Sequence, residues 1–419
     1  MSKSMRLTDY EEAMLTGEFG EPRSQALARQ IEIGRFFDAA DFIEVAQAHI
    51  MADTEALGEA GVEYLEELAG YPEAERRVAI PTITDPRGAD FNAYERINQN
   101  PAFVELERRA DKAFRALGVM MTDTCINYQT VLPPVQGEHL AMGDTGVVIY
   151  TNSVQGARTN YEGGPSALAA ALTGRTARYG FHLDEMRRGT ARFQLEETPR
   201  TWTEWGALGG LIGNAMGSYY QVPVVEGVSG PAPTSDDLKH FGAALASYGS
   251  TALFHMVGVT PEAPDLAGVF DGTPPDPVVI SRHDVEAFIT SYADDDDSLD
   301  VVVFAAPQLS LMELEKLSTL LKGRRIHDDV SLLIATNPEN KRAAERFGLA
   351  QTIEASGAIL LEGVCFYQMH ARELGEANGW TRLMTNSAKL TNIIGGYGYV
   401  PVLADMERCI DSAVAGRIV

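Results

Sequence analysis

The sequence predicts an α/β protein built on parallel sheets. Two observations predict it. The chain, at 419 residues, is long enough to bury two or three packed lobes. From residue 301 onward, short apolar runs alternate with well-capped helices. Val301–Phe304 reads as a buried strand. Ser310 and Glu313 form a capping box for a helix over Leu311–Leu321, and Gly323 stops it. Val330–Ala335 reads as a second strand. Asn337 caps the next helix, with Pro338 at its first position and Gly348 at its end. Ala358–Leu361 is the third strand. This βαβαβ order calls for a parallel sheet with crossover helices. Ligands of such sheets sit beyond the carboxyl ends of the strands. Three loops are therefore expected to converge: Ala305–Gln308, Thr336–Asn337 and Glu362–Cys365.

The earlier part of the chain is read element by element. Thr8 with Glu11 fits a capping box before an apolar-periodic run. Thr54–Leu68 places Leu57, Tyr64, Leu65 and Leu68 on one helical face. Val78–Thr84 reads as a strand ending in the turn Asp85–Gly88, and Pro101–Leu117 as a helix. Gly146–Tyr150 reads as a short apolar strand. The Pro, Gly and Val-rich stretch Pro223–Pro233 is the expected lobe boundary, dividing the chain into lobes 1–233 and 234–419. The acidic run Asp294–Asp297 reads as a solvated loop.

Charge and cysteine usage exclude several function classes. The formal net charge of -25 argues against a broad nucleic-acid surface and against anionic membranes. A few local cations can still hold a small anion. No apolar run is long enough to cross a bilayer, and no apolar signal core follows the start Met1–Arg6. A cytoplasmic location is expected. Three widely spaced cysteines, Cys125, Cys365 and Cys409, do not make a disulfide framework.

Three passages carry groups suited to chemistry. Asn152–Ser166 packs Asn152, Ser153, Arg158, Thr159, Asn160 and Glu162 into one loop, then opens a helix through Gly163, Gly164 and Pro165. A helix N-terminus favours an anion, and Arg158 is suited to clamp a carboxylate or phosphate. Glu162 and Ser153 are the candidate proton-transfer groups there. In Tyr179–Arg188, a strand reading puts His182 and Asp184 on one face, where the acid would orient the imidazole. In Thr385–Lys389, Asn386, Ser387 and Lys389 form a polar, cationic loop for an anionic substrate.

Together these residues resemble a known family. The run Glu138-His139-Leu140-Ala141, then Asn152-Ser153-Val154 through Gly156–Asn160, Glu162–Ala171, Gly174-Arg175-Thr176, Tyr179-Gly180 and His182–Glu185, is similar to the large subunit of aconitase X. The likeness begins at Leu7-Thr8 and includes Ala48-His49 and Asp85-Pro86. It reaches Thr385-Asn386-Ser387, Lys389 and Cys409. The resemblance implies an aconitase-like, multi-lobed fold with the active site in the cleft between lobes. It implies a hydro-lyase that removes water from a small anionic hydroxy acid, such as mevalonate 5-phosphate or cis-3-hydroxy-L-proline. It also implies an iron–sulfur cluster on three cysteines and a separate small swivelling-domain subunit. Cys125 and Cys365 match two of those cysteines. The third position is Ala306, and Gln308 stands where the family has a histidine. Tyr161 and Met186 replace an arginine and an asparagine. Any iron at Cys125 and Cys365 would need a substitute third ligand, such as Gln308 or a nearby histidine. Two further readings follow from these changes. One is a cluster-free member catalysing a different elimination, isomerisation or cyclisation, marked by a larger and more apolar pocket around Tyr161, Met186 and Ala306. The other is an inactive scaffold subunit, against which the retained Arg158, Asn160, Glu162, Asn386 and Lys389 argue.

Overall fold

The computed structural model describes residues 5–293 and 296–419. Asp294 and Asp295 of the expected acidic loop lie outside the described residues, as do residues 1–4.

The βαβαβ pattern produces the sheet it calls for. Five parallel strands run in the order Ile359–Glu362, Ser331–Thr336, Val301–Leu309, Arg382–Thr385, Val400–Leu403. The central strand is buried along its whole length, as expected where helices cover both faces. The chain starts this sheet in its middle, builds outward to one edge, then returns to build the other. A switch point therefore lies between Val301–Leu309 and Arg382–Thr385, where such sheets leave a crevice at their carboxyl ends. The capping box at Ser310 and the Asn337 cap form as read.

The N-terminal lobe holds a smaller parallel sheet, in the order Thr82–Thr84, Ala48–Ile50, Ala141–Met142. A third parallel sheet runs His255–Met256, Pro223–Glu226, Ala191–Leu195, Val278–Ile280. It takes strands from both sides of residue 233. The helices Trp202–Ala215 and Ser235–Gly249 pack tightly beside it. A Cβ on Gly209 would stand 2.2 Å from the Phe241 carbonyl, so only glycine allows that approach. A buried ionic group ties the Ser235–Gly249 helix to the five-stranded lobe: the Lys239 ammonium meets Glu313, and lies 3.0 Å from Asp236.

Three local readings are corrected. Gly146–Tyr150 is part of a buried helix, Thr145–Ser153, because Asp144 caps it by accepting from the Val147 N–H at 3.0 Å. A short all-apolar run fits either a buried strand or a buried helix, and the cap decides. Asn152 and Ser153 are therefore the last turn of a helix and do not follow a strand. Val78–Thr84 is a strand only over Thr82–Thr84. The Val78 and Ala79 N–H groups donate instead to the carbonyls of Leu117 and Ala171. Tyr179–Arg188 forms two 3-10 turns, Gly180–His182 and Asp184–Arg187, so period-two alternation does not apply there.

Candidate active site

The carboxyl ends of the three-stranded and five-stranded sheets face one another. Each strand of the smaller sheet delivers an acid at its end. Asp53 follows Ala48–Ile50 and caps the helix Thr54–Gly70. Asp85 follows Thr82–Thr84, its N–H bonded to the Ile50 carbonyl at 2.9 Å. Asp144 follows Ala141–Met142 after Gly143. A Cβ on Gly143 would come within 2.6 Å of the His49 carbonyl, so a side chain there would push Asp144 away.

From the facing sheet come Cys365, Gln308 and Lys389. The seam between the sheets is closed largely through main-chain groups. The Arg87 N–H donates to the Gly363 carbonyl at 2.8 Å, and its guanidinium to the Glu362 carbonyl at 2.9 Å. The same guanidinium stands 3.3 Å from Asp123. The expected convergence of loops is therefore present, and the Asn337 amide joins it by donating to Thr124 Oγ1 at 3.1 Å.

The electrostatics of this junction are those of a buried acidic cluster around the Lys389 ammonium. Burial, then the charges of Asp144 and Cys125, hold the Asp85 carboxyl well above the carboxylate range. Its Oδ1 has no hydrogen-bond partner among the described residues, while Oδ2 accepts from Gln368 Nε2 at 2.8 Å. Gln368 also donates to Asp53 at 3.2 Å, and burial raises Asp53 to about 6. His49 Nε2 donates to the Thr124 carbonyl at 2.8 Å and lies 3.6 Å from Asp85. Burial lowers its pKa, so the ring is neutral with a bare Nδ1. Lys389 is buried too. Burial works against its charge, but Asp144, 3.7 Å away, outweighs this and leaves the ammonium above its ordinary value. The Tyr367 ring lies beneath it, 5.5 Å from the ammonium.

Cys125 and Cys365 meet at this junction as free, buried cysteines. Burial, then the adjacent Cys365, push the Cys125 thiol well up. The residues present do not fit a three-thiolate cluster. Ala306 offers no ligand, and Gln308 is consumed by the scaffold. Its Nε2 donates to the carbonyls of Asp123 and Val364, both at 3.0 Å, and its Oε1 accepts from the Cys125 N–H at 3.3 Å. Among the described residues, no group of three or more His, Cys, Asp and Glu side chains is placed to hold a metal ion. An iron–sulfur cluster needs thiolates that this donor set lacks.

The other sequence-derived candidates divide between this junction and the surrounding frame. Asn386 and Ser387 stand at the switch point with Lys389. Ser387 donates to the Ala306 carbonyl, and Asn386 is buried beside it. Asn152, Ser153, Thr159 and Asn160 hold their own backbone. Asn152 accepts from the Thr159 N–H at 3.0 Å and donates to the Ala252 carbonyl at 2.9 Å. Ser153 accepts from the Phe254 N–H at 2.9 Å, Thr159 from the Met142 N–H at 3.0 Å, and Asn160 from the Phe181 N–H at 3.0 Å. Glu162 is buried and accepts from Ser166 and Thr176. Gly163 and Gly164 open the helix Gly163–Thr173, and a Cβ on Gly164 would meet the Met51 carbonyl at 3.6 Å. The pairing of His182 with Asp184 is not found. Asp184 is 78% exposed and pairs with Arg158, which also donates to the His182 carbonyl. His182 instead shares an Nδ1–Nδ1 contact of 2.9 Å with His139, and burial drives it down to about 3. Arg158 is thus engaged by Asp184 and the His182 carbonyl.

Sequence reasoning missed His49, Asp53, Asp85, Asp144 and Tyr367 as site residues. Ala48-His49 and Asp85-Pro86 were visible as points of likeness. Acids immediately after apolar triplets were the remaining signal.

Beside the junction lies a cavity of about 490 Å³. Thr145, which follows Asp144, lines it, as do Asn392 and Ile393, one turn beyond Lys389. Tyr161 forms part of its wall. Burial, then the charges of Asp144 and Asp85, raise the Tyr161 phenol to about 12. Neither Met186 nor Ala306 lines this space.

Parallel sheets meeting at their carboxyl ends over a chamber of buried acids define an α/β protein of aconitase-like architecture. The comparisons give the particular group. Models of the aconitase X first, second and third domains match residues 4–185, 189–290 and 299–415. The chain belongs to the aconitase X family. It is 34% identical to the phosphomevalonate dehydratase large subunit of Methanosarcina mazei, over 99% of this chain and 98% of that one. It is 31% identical to the cis-3-hydroxy-L-proline dehydratase of Pseudomonas aeruginosa, over 98% of this chain and 70% of that one. The crystal structure of Thermococcus kodakaraensis aconitase X in its holo form superposes with a TM-score of 0.86 at 29% identity, covering 98% of this chain and 100% of that one. Among the described residues, no helix is long and apolar enough to cross a membrane.

Proposed function

We propose that this chain is the catalytic large subunit of a dehydratase that removes water from a small hydroxy acid, working with a separate small subunit. The relatives named as phosphomevalonate dehydratase large subunits support both parts of this reading. The observation that carries it is the pairing of Asp85 with Asp53 through Gln368, within reach of the Lys389 charge. Two acids pushed to different pKa values are suited to opposite roles. Asp85 keeps its proton and is the acid that protonates the departing hydroxyl from Oδ1. Asp53, ionised above about pH 6, is the base that takes the proton next to the substrate carboxylate. Lys389 and Asn386 hold that carboxylate. Exclusion of water strengthens each of these interactions.

The test is turnover. The chain, combined with a small-subunit protein of the same family, is incubated with mevalonate 5-phosphate and cis-3-hydroxy-L-proline, and loss of one water is followed by mass spectrometry. Dehydration that falls at least about 100-fold in Asp85→Asn and Lys389→Ala supports the assignment. Undiminished dehydration in both variants refutes it.

A second reading is favoured by Gln308, whose carboxamide is committed to the backbone beside both cysteines. In this reading the same acids run a different elimination, an isomerisation or a cyclisation without a cluster. Full activity after Cys125→Ser and Cys365→Ser together would favour it.

A further inference from the structure

We infer that the substrate carries, beyond its carboxylate and hydroxyl, an uncharged substituent that occupies the cavity beside Tyr161, and that a second anionic group such as a phosphate is rejected there. This rests on the dehydratase reading, since it takes Lys389 as the carboxylate's partner.

The cavity is lined by chain neighbours of Asp144 and Lys389 and is large enough for a substituent of several carbons. Its volume is about 490 Å³, and its wall includes Thr145 beside Asp144 and Asn392 and Ile393 one turn past Lys389. A bound acid held at Lys389 therefore has this space next to it. The lining contains no Lys, Arg or His. The cation adjoining it, Lys389, is already matched by Asp144.

The helices around the cavity make an anion still less favourable. The Ser235–Gly249 helix ends at this wall, contributing Ala246 and Ser247, with Ser250 just beyond it. The Ala388–Ile394 helix also ends here, through Asn392 and Ile393. A helix carries partial negative charge at its C-terminus. The N-terminus of Thr145–Ser153, which would favour an anion, is already capped by the Asp144 carboxylate. A phosphate dianion placed here would face two negative helix ends with no cation in the lining.

What the lining does offer suits a neutral group. Val148, Ala252, Ile393 and the rings of Tyr161 and Tyr219 supply apolar contact. Thr251 adds a buried hydroxyl with no hydrogen-bond partner among the described residues. Tyr161 is held in place at its backbone, where its N–H donates to the Tyr219 hydroxyl at 2.8 Å. Thr145, Ser247, Ser250, Thr251 and Asn392 add uncharged polar groups that suit a hydroxyl or carbonyl.

Mevalonate and mevalonate 5-phosphate are a matched pair for the test, because they differ only in the charged end. Binding of each to the chain with its small subunit is measured by calorimetry at fixed ionic strength. Mevalonate is expected to bind at least about ten-fold more tightly than its phosphate. In a series of 3-hydroxy acids with longer alkyl chains, affinity is expected to rise about four-fold per methylene until the cavity fills. Tyr161→Arg is expected to reverse the preference toward the phosphate. Ile393→Trp is expected to weaken the long-chain acids while leaving the shortest unchanged. Equal or tighter binding of the phosphate by the unaltered protein overturns the inference. So does a flat chain-length series. If no hydroxy acid binds and Lys389→Ala changes nothing, the dehydratase reading fails instead, and the two failures are told apart.

Discussion

Gln308 grips the Cys125 segment from both directions. Its Oε1 accepts from the Cys125 N–H at 3.3 Å, and its own N–H donates to Cys125 Sγ at 3.4 Å. The carboxamide is therefore part of the wall at which a third thiolate would be needed.

Iron uptake follows from this relationship. Anaerobic incubation with ferrous iron and sulfide is expected to leave the unaltered protein with substoichiometric iron and no thiolate-to-iron absorbance. The double variant Ala306→Cys, Gln308→Ala supplies a third thiol and frees the wall, and is expected to gain both. Stoichiometric iron in the unaltered protein would show that the donor set has been misjudged. Metal analysis with a visible spectrum reads the result without any activity assay.

The Asp85 carboxyl sets a pH limit. Burial and the charges of Asp144 and Cys125 raise its pKa, so it still carries a proton where an exposed aspartate would not. A general acid must be protonated, and activity is therefore expected to hold through neutral pH and fall on the alkaline side. Asp85→Asn should remove that limb together with most of the activity. A kcat/KM profile that rises steadily with pH would contradict the role.

Glu107 makes a stability prediction with a definite sign. Burial raises it to about 8 in the folded chain, while it accepts from the Thr54 N–H at 3.0 Å. The folded state thus holds a proton that the unfolded state releases near its ordinary value of 4.5. Its contribution is fully favourable below that value and is lost as pH rises to about 8. The loss is on the order of 4 kcal/mol. Asp53 and Asp123, each raised to about 6 by burial, act in the same direction at lower pH. Glu107→Gln should therefore gain stability relative to the unaltered chain between pH 5 and 8.5, read as melting temperature. A constant difference across that range would refute this.

Arg158 is expected to matter little for turnover. Its guanidinium is engaged by Asp184 and the His182 carbonyl, at a partly exposed site. Such a pair contributes at most about 1 kcal/mol. Arg158→Ala should keep kcat/KM within about three-fold. A loss of two orders of magnitude would place Arg158 back in the substrate site.

The partners of Arg158 bear on where the sequence was legible. The five-stranded sheet could be read because its strands are fully apolar and its helices carry explicit caps at Ser310 and Asn337. Lys389, Asn386, Cys125 and Cys365 lie at the ends of such elements or in recognisable passages, which is why the sequence singles them out. The acids were not found, since Asp53, Asp85 and Asp144 follow strands of two or three residues, too short to show any alternation. Two of those acids, Asp53 and Asp144, also cap helices, and a cap reads as structure. Asn152–Asn160 reads as a substrate loop from its density of polar side chains, which in the structure hydrogen-bond backbone groups within and beyond the segment.

The seam at Arg87 bears on how this lineage can change. Arg87 binds the carbonyls of Gly363 and Glu362, and Gln308 binds those of Asp123 and Val364, so the joint is fastened mainly to peptide groups. Every residue type has such a carbonyl. Side chains around the joint can therefore be exchanged over generations while the two halves stay aligned, which leaves the chemistry free to drift on a frame that does not.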